Sequence, residues 1–231
     1  MKFLTTEEWE KKFNKEFFDP KKRSPLEKIF SNVLKRMQEI IAGRFNHSTF
    51  GIAMTLFHYY ICFNDIRTID INEISYACLY MTFKIQFRNM SYISLKNECK
   101  KETKNGEPDL IKYEIRLYSQ LGYDLDIETP FQFFDNLIPN VIAKFPQLQN
   151  KIPNLRKFCF NLISDTYSRP LSIYYHPKII YLSCLILSLS FLEYDFDLNV
   201  LLQGENVDLV AECMDKITQI YDSYIDDKNT K

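Results

Sequence analysis

The residue whose type and position break a local rule most clearly is Glu114. Leu110, Glu114, Leu117 and Leu121 recur at intervals of four, three and four, so a carboxylate stands on the apolar stripe of a helix. A carboxylate buried there without a partner costs several kcal/mol on the order of its desolvation penalty. Lys84 is the natural partner, because it is the first charge after the ten uncharged residues 74–83. Two readings of the residues stay open. Lys84 and Glu114 form an ion pair, or Lys84 snorkels at a helix end while Glu114 sits at the wet margin of its stripe. Such a pair would do no bond chemistry. It would present fixed donors and acceptors to another polar surface.

Other residues capable of chemistry are scattered. His47, His58 and His176 lie far apart and are expected to be structural, and Asp226-Asp227 lacks the second acidic motif that a helical magnesium enzyme needs. The six cysteines (Cys62, Cys78, Cys99, Cys159, Cys184, Cys213) include no C-x-x-C pair, so they read as buried, reduced thiols and not as a zinc or redox site. Phosphate loops, nucleophile elbows and kinase catalytic motifs are absent. The sequence thus implies no cofactor, no metal and no catalytic residue.

The elements that position these residues are helical. Apolar residues recur at three-and-four spacing nearly throughout, and five glycines with nine prolines are few for a turn-dense β protein of 231 residues. The aromatic share of 15% argues for packed cores and against disorder. The pattern predicts a first helix over 6–17, with Thr5 or Thr6 as cap, Glu8 available for reciprocal capping and Trp9 packing the helix onto the bundle. Asp19-Pro20 ends it, and Ser24-Pro25 opens a helix to about Gly43. Helices follow over 48–63, 72–87, 91–101 and 108–121, with a polar loop at 101–107 that contains Asn105-Gly106. Gly122 ends the last of these by turning left-handed. Further helices are predicted over 129–145, 154–167, 176–191, 198–203 and 207–226.

Residues 74–83 and 179–192 belong to the least charged helix of each half, and a helix apolar all round must be surrounded by others. Each half therefore reads as a five-helix bundle on a central helix, over about 24–123 and 129–226, a diverged duplication.

Net charge is −1, which gives no reason to expect a nucleic acid or an anionic membrane as partner. Residues 1–36 hold ten Lys or Arg against six acids, with a modest basic patch at Lys21, Lys22 and Arg23, whereas 193–231 hold ten acids against three lysines. The longest uncharged run, 179–192, is shorter than the roughly 20 residues that span a bilayer. Glu7, Glu8 and Glu10 leave no apolar signal region after Met1. The chain is expected to be intracellular and soluble.

Several stretches carry a family resemblance. Gly43-Arg44-Phe45-Asn46 precedes Ala53-Met54-Thr55-Leu56-Phe57-His58-Tyr59-Tyr60, then Ala77-Cys78-Leu79 leads to Lys84, Glu114 and Leu121-Gly122-Tyr123-Asp124-Leu125. Ser164-Asp165-Thr166-Tyr167-Ser168-Arg169-Pro170-Leu171 is followed by Tyr175-His176-Pro177 and a helix with Cys184. In order and spacing this resembles the two boxes of the transcription-associated cyclins (cyclin C, K, L and T type).

The resemblance implies an all-α cyclin fold: an N-terminal helix and linker at 1–23, a first box at 24–125, a second at 126–226 and a tail at 227–231. It implies a nuclear, non-catalytic subunit that binds and activates a cyclin-dependent kinase acting in transcription. Lys84 and Glu114 would grip the kinase's regulatory helix, and Ile85, Tyr118, Tyr123 and Leu125 would supply apolar contact around them. No cofactor, no membrane and no sequence-specific nucleic acid contact is implied. Gln86-Phe87 stand where the family usually has two acidic residues, and Tyr59 where it has an arginine. A methionine-arginine substrate-docking motif is not visible near Lys35-Arg36-Met37. The alternatives are a general transcription factor with the same duplicated fold, which would need a basic face across both repeats, and a helical scaffold that works without a kinase.

Overall fold

The computed structural model describes residues 25–41, 46–88, 90–103, 107–202 and 204–229. Among them there is no strand. The α-helices are α1 (Pro25–Ile41), α2 (His47–Phe63), α3 (Ile71–Ile85), α4 (Tyr92–Glu102), α5 (Leu110–Gln120), α6 (Pro130–Lys144), α7 (Ile152–Thr166), α8 (Leu171–Tyr174), α9 (Pro177–Phe191), α10 (Leu198–Leu201) and α11 (Val207–Asn229). The expected all-α class is what the chain adopts. The helix expected over 6–17 with Trp9, the basic patch at Lys21 to Arg23, Gly43 and Asn105-Gly106 lie outside the described residues.

The chain forms two compact units. Of the described residues, one unit holds those within 32–127, and the other holds those within 128–229 together with 25–31. In the first, α3 packs against α2, α4 and α5. Its residues 74–79 and 81–83 are all buried, as a helix without charge over this stretch requires. Met54, Phe57 and Tyr60 of α2 and the helix's own Tyr76 and Phe83 are fully buried there. In the second unit α9 packs against α6, α7, α8 and α11, with Tyr181, Cys184, Leu185 and Leu189 fully enclosed.

Helix starts follow side-chain chemistry. Asn46, Asp70, Ser91 and Asp109 cap α2, α3, α4 and α5 by accepting bonds from backbone N–H groups that a helix leaves unpaired. His176 caps α9, its Nδ1 accepting from the Lys178 N–H at 3.2 Å, which gives this histidine a structural task. Several features went unread in the sequence: the 3₁₀ turns Ile66–Thr68 and Pro146–Lys151 and the single-turn α8. Helix α3 also ends at Ile85, two residues before the expected Phe87, because Phe87 takes a left-handed φ of 52°.

All six cysteines are buried thiols that form no disulfide. Burial pushes the thiols of Cys99, Cys159 and Cys213 up to about 12, and those of Cys78 and Cys184 well above the ordinary range. Thiolate is the reactive form. The native protein at pH 8 is therefore expected to react slowly with an aromatic disulfide reagent and to release all six equivalents only in denaturant. Fast labelling of two or more thiols in the native state would contradict this packing.

Candidate functional site

Lys84 lies in the last turn of α3 and Glu114 in the second turn of α5. Asp70 fixes the start of α3 by accepting from the N–H groups of Asn72 and Glu73 at 2.9 and 3.1 Å. Asp109 fixes the start of α5 by accepting from the Lys112 N–H at 3.1 Å. Helix α5 is further held to α2 by Tyr59, whose hydroxyl donates to the Gln120 carbonyl at 3.0 Å, and by the edge contact of the Tyr60 and Tyr113 rings at 5.7 Å.

With both helices fixed, Lys84 Nζ donates to Glu114 Oε1 at 2.5 Å. The Glu114 side chain is 7% exposed and that of Lys84 46% exposed. The wet-margin reading of Glu114 therefore does not describe this protein. Its carboxylate is inside the unit, and the half-exposed ammonium is its visible partner. The hydrogen bond to Glu114 holds the Lys84 ammonium above the usual lysine range, against the opposing effect of burial, and the Tyr80 and Tyr118 hydroxyl groups add to the rise. Lys84 Nζ also lies 5.0 Å from the centroid of the Tyr80 ring, which meets Tyr92 edge-on at 5.3 Å. The ammonium is thus oriented from two sides and still reaches solvent. That arrangement can donate to carbonyl or carboxylate oxygens of an incoming surface without reorganising.

The expected apolar surround is distributed unevenly. Ile85, Tyr118 and Leu125 are half-buried, whereas Tyr123 is 76% exposed. Tyr123 and Leu125 lie beyond the end of α5, where Gly122 and Tyr123 take φ of 61° and 63°. The left turn expected at Gly122 is present.

Three exposed residues were missed as candidates: Ile111 and Ile115 on the helix of Glu114, and Phe87 after the helix of Lys84, which is 96% exposed. The signal for the isoleucines was their place off the Leu110, Leu117, Leu121 stripe. Gln86 has an internal role, its Oε1 accepting from the Thr49 hydroxyl at 2.6 Å at the start of α2.

In the second unit a cavity of about 220 Å³ is lined by Leu137, Val141, Tyr181, Leu182 and Leu185, with a Lys178–Glu205 ion pair on its wall. Among the described residues no group of three His, Cys, Asp or Glu side chains could hold a metal ion, and no helix is long and apolar enough to cross a membrane.

No protein-family model matches the sequence. Solved structures do match in fold. The yeast RNA polymerase II CTD kinase CTDK-1 complex contains a chain that is 12% identical with a TM-score of 0.72, over 96% of this chain and 73% of that one. The yeast TFIIK (Kin28/Ccl1/Tfb3) complex contains one that is 15% identical with a TM-score of 0.63, over 94% and 96%. The CAK complex of Chaetomium thermophilum bound to ATP-gamma-S contains one that is 17% identical with a TM-score of 0.64, over 84% of this chain and 62% of that one. At these identities the likeness is one of fold. The chain adopts the cyclin-type fold that its sequence led us to expect.

Proposed function

We propose that this chain is the regulatory subunit of a cyclin-dependent protein kinase acting in transcription, and that the kinase docks on the first unit at Lys84 and Glu114. The observation that carries the reading is the pair itself: a buried carboxylate bonded to a half-exposed ammonium, with Ile111, Ile115, Phe87 and Tyr123 exposed on or just beyond the two helices that hold it. Fixed charges amid apolar side chains suit a contact in which water is excluded and the polar groups select the partner. Fold likeness to chains of the CTD kinase, TFIIK and CAK complexes supports the same reading, as does the sequence resemblance. Ile85, Tyr118, Tyr123 and Leu125 complete the proposed contact. The boxes are placed at 24–125 and 126–226, and the site of action is the nucleus.

Catalysis in this reading belongs to the partner, whose lysine, glutamate and activation loop are positioned by docking. Affinity purification from the source cells, with the co-purifying kinase identified and then expressed alone, tests it. The purified kinase is expected to phosphorylate a peptide substrate at least tenfold faster when this chain is added. The pure chain alone is expected to turn over no ATP. A kinase rate unchanged by the chain, or ATP turnover by the chain itself, would contradict the proposal.

A further inference from the structure

Among the described residues, three that are not glycine take a left-handed φ: Phe87 at 52°, Tyr123 at 63° and Glu193 at 53°. Each follows the end of a long helix. Two of the three are aromatic and exposed, and those two follow the helices that carry Lys84 and Glu114. Phe87 is the extreme case. Its N–H donates to the Lys84 carbonyl at 3.1 Å and the Arg88 N–H donates to the Phe83 carbonyl at 2.8 Å, the pattern by which a left-handed residue closes a helix.

Glycine fits that position best, because a Cβ in the left-handed region crowds the following carbonyl. A phenyl ring there adds strain, and at 96% exposure it returns no burial within the chain. For the free protein it is a double loss. For a partner it is an exposed apolar ring on a backbone already fixed and bonded to that of Lys84. The backbone that carries it does not have to be ordered on binding.

We propose that Phe87 is an apolar anchor of the kinase contact, seating in an apolar recess of the kinase beside the groups that engage Lys84 and Glu114. This rests on the docking reading above. The occupant follows from continuity, since Phe87 is bonded to the backbone of Lys84 and since Ile111 and Ile115 are exposed on the helix of Glu114. It also gives a physical meaning to the departure at Gln86-Phe87: Gln86 is used internally and Phe87 faces outward, so the partner surface here is matched to a ring and not to a carboxylate.

The test uses the full chain and the purified kinase recovered with it. Phe87→Gly is expected to raise the melting temperature of the free chain by about 2 to 4 °C while weakening kinase binding by about tenfold to a hundredfold. Phe87→Asn, polar yet tolerant of the left-handed region, should weaken binding likewise. Glu193→Gly relieves the same backbone conformation in the second unit and should raise the melting temperature with binding unchanged. Wild-type affinity in Phe87→Gly, alongside lost affinity in Lys84→Ala, would overturn the anchor and leave the docking reading standing. Full affinity in both would overturn the docking reading and the anchor with it. A lower melting temperature in Phe87→Gly would show that the ring serves the fold, which also overturns the proposal.

Discussion

Arg169→Ala is expected to destabilise the second unit by about 3–5 kcal/mol, the largest loss from any single substitution considered for the free chain. Arg169 sits in the turn before Pro170 and is 2% exposed, and its Nε meets Glu27 Oε1 at 2.8 Å in a pair whose glutamate is 3% exposed. Its Nη2 also reaches the Gln219 carbonyl of α11 at 3.4 Å, so one guanidinium joins α1 and α11 to the turn after α7. Removing it takes the guanidinium away from the buried Glu27 carboxylate and from the Gln219 carbonyl, and breaking a buried pair at one end is strongly destabilising. In a chain of this size that corresponds to a fall in melting temperature of about 6 to 20 °C. Glu27→Leu combined with Arg169→Met removes both charges while keeping much of the volume, and should recover most of the loss, because buried pairs replaced by apolar groups are often neutral. Thermal melts of the two variants check this. A midpoint within 2 °C of wild type for Arg169→Ala would contradict it.

The second large effect concerns Lys84 and Glu114, and burial makes the two alanine variants unequal. Lys84→Ala strands a carboxylate that is nearly inaccessible, at a cost to folding on the order of 1–3 kcal/mol, whereas Glu114→Ala leaves an ammonium that is half in water and costs under about 1 kcal/mol. The double variant should lose less than the sum of the singles. The pH dependence has a definite sign. Lys84 titrates above its unfolded value, so its contribution is fully present below about pH 10 and is lost as pH rises through the folded value. Melts between pH 7 and pH 9 should be flat in this respect. Equal destabilisation by the two substitutions would mean that Glu114 is not buried as described.

Much of this was legible in the residues. The uncharged stretches at 74–83 and 179–192 read as enclosed helices, and they are the helices that most others in their units touch, although Phe191 at the end of the second is exposed. Glu114 announced a partner by standing on a leucine stripe, and Lys84 was the nearest cation placed to serve it. The pairing of Glu27 with Arg169 could not be read, since neither residue interrupts an obvious stripe and they are far apart in sequence. The helix expected over 72–87 ran two residues too far for a physical reason. An aromatic residue at the end of an apolar helix looks like its last core position, and only the left-handed turn at residue 87 shows that the ring points out. The short α8 and the 3₁₀ turns carry too few residues for any period to show.

The proposed docking of a kinase where Lys84 meets Glu114 is checked by calorimetric titration of the purified kinase into wild-type and Glu114→Ala chains. Glu114→Ala is the informative variant because it is expected to stay folded. A loss of about 2–5 kcal/mol in binding free energy is expected, with the melting temperature nearly unchanged. Wild-type affinity in a folded Glu114→Ala chain would contradict it.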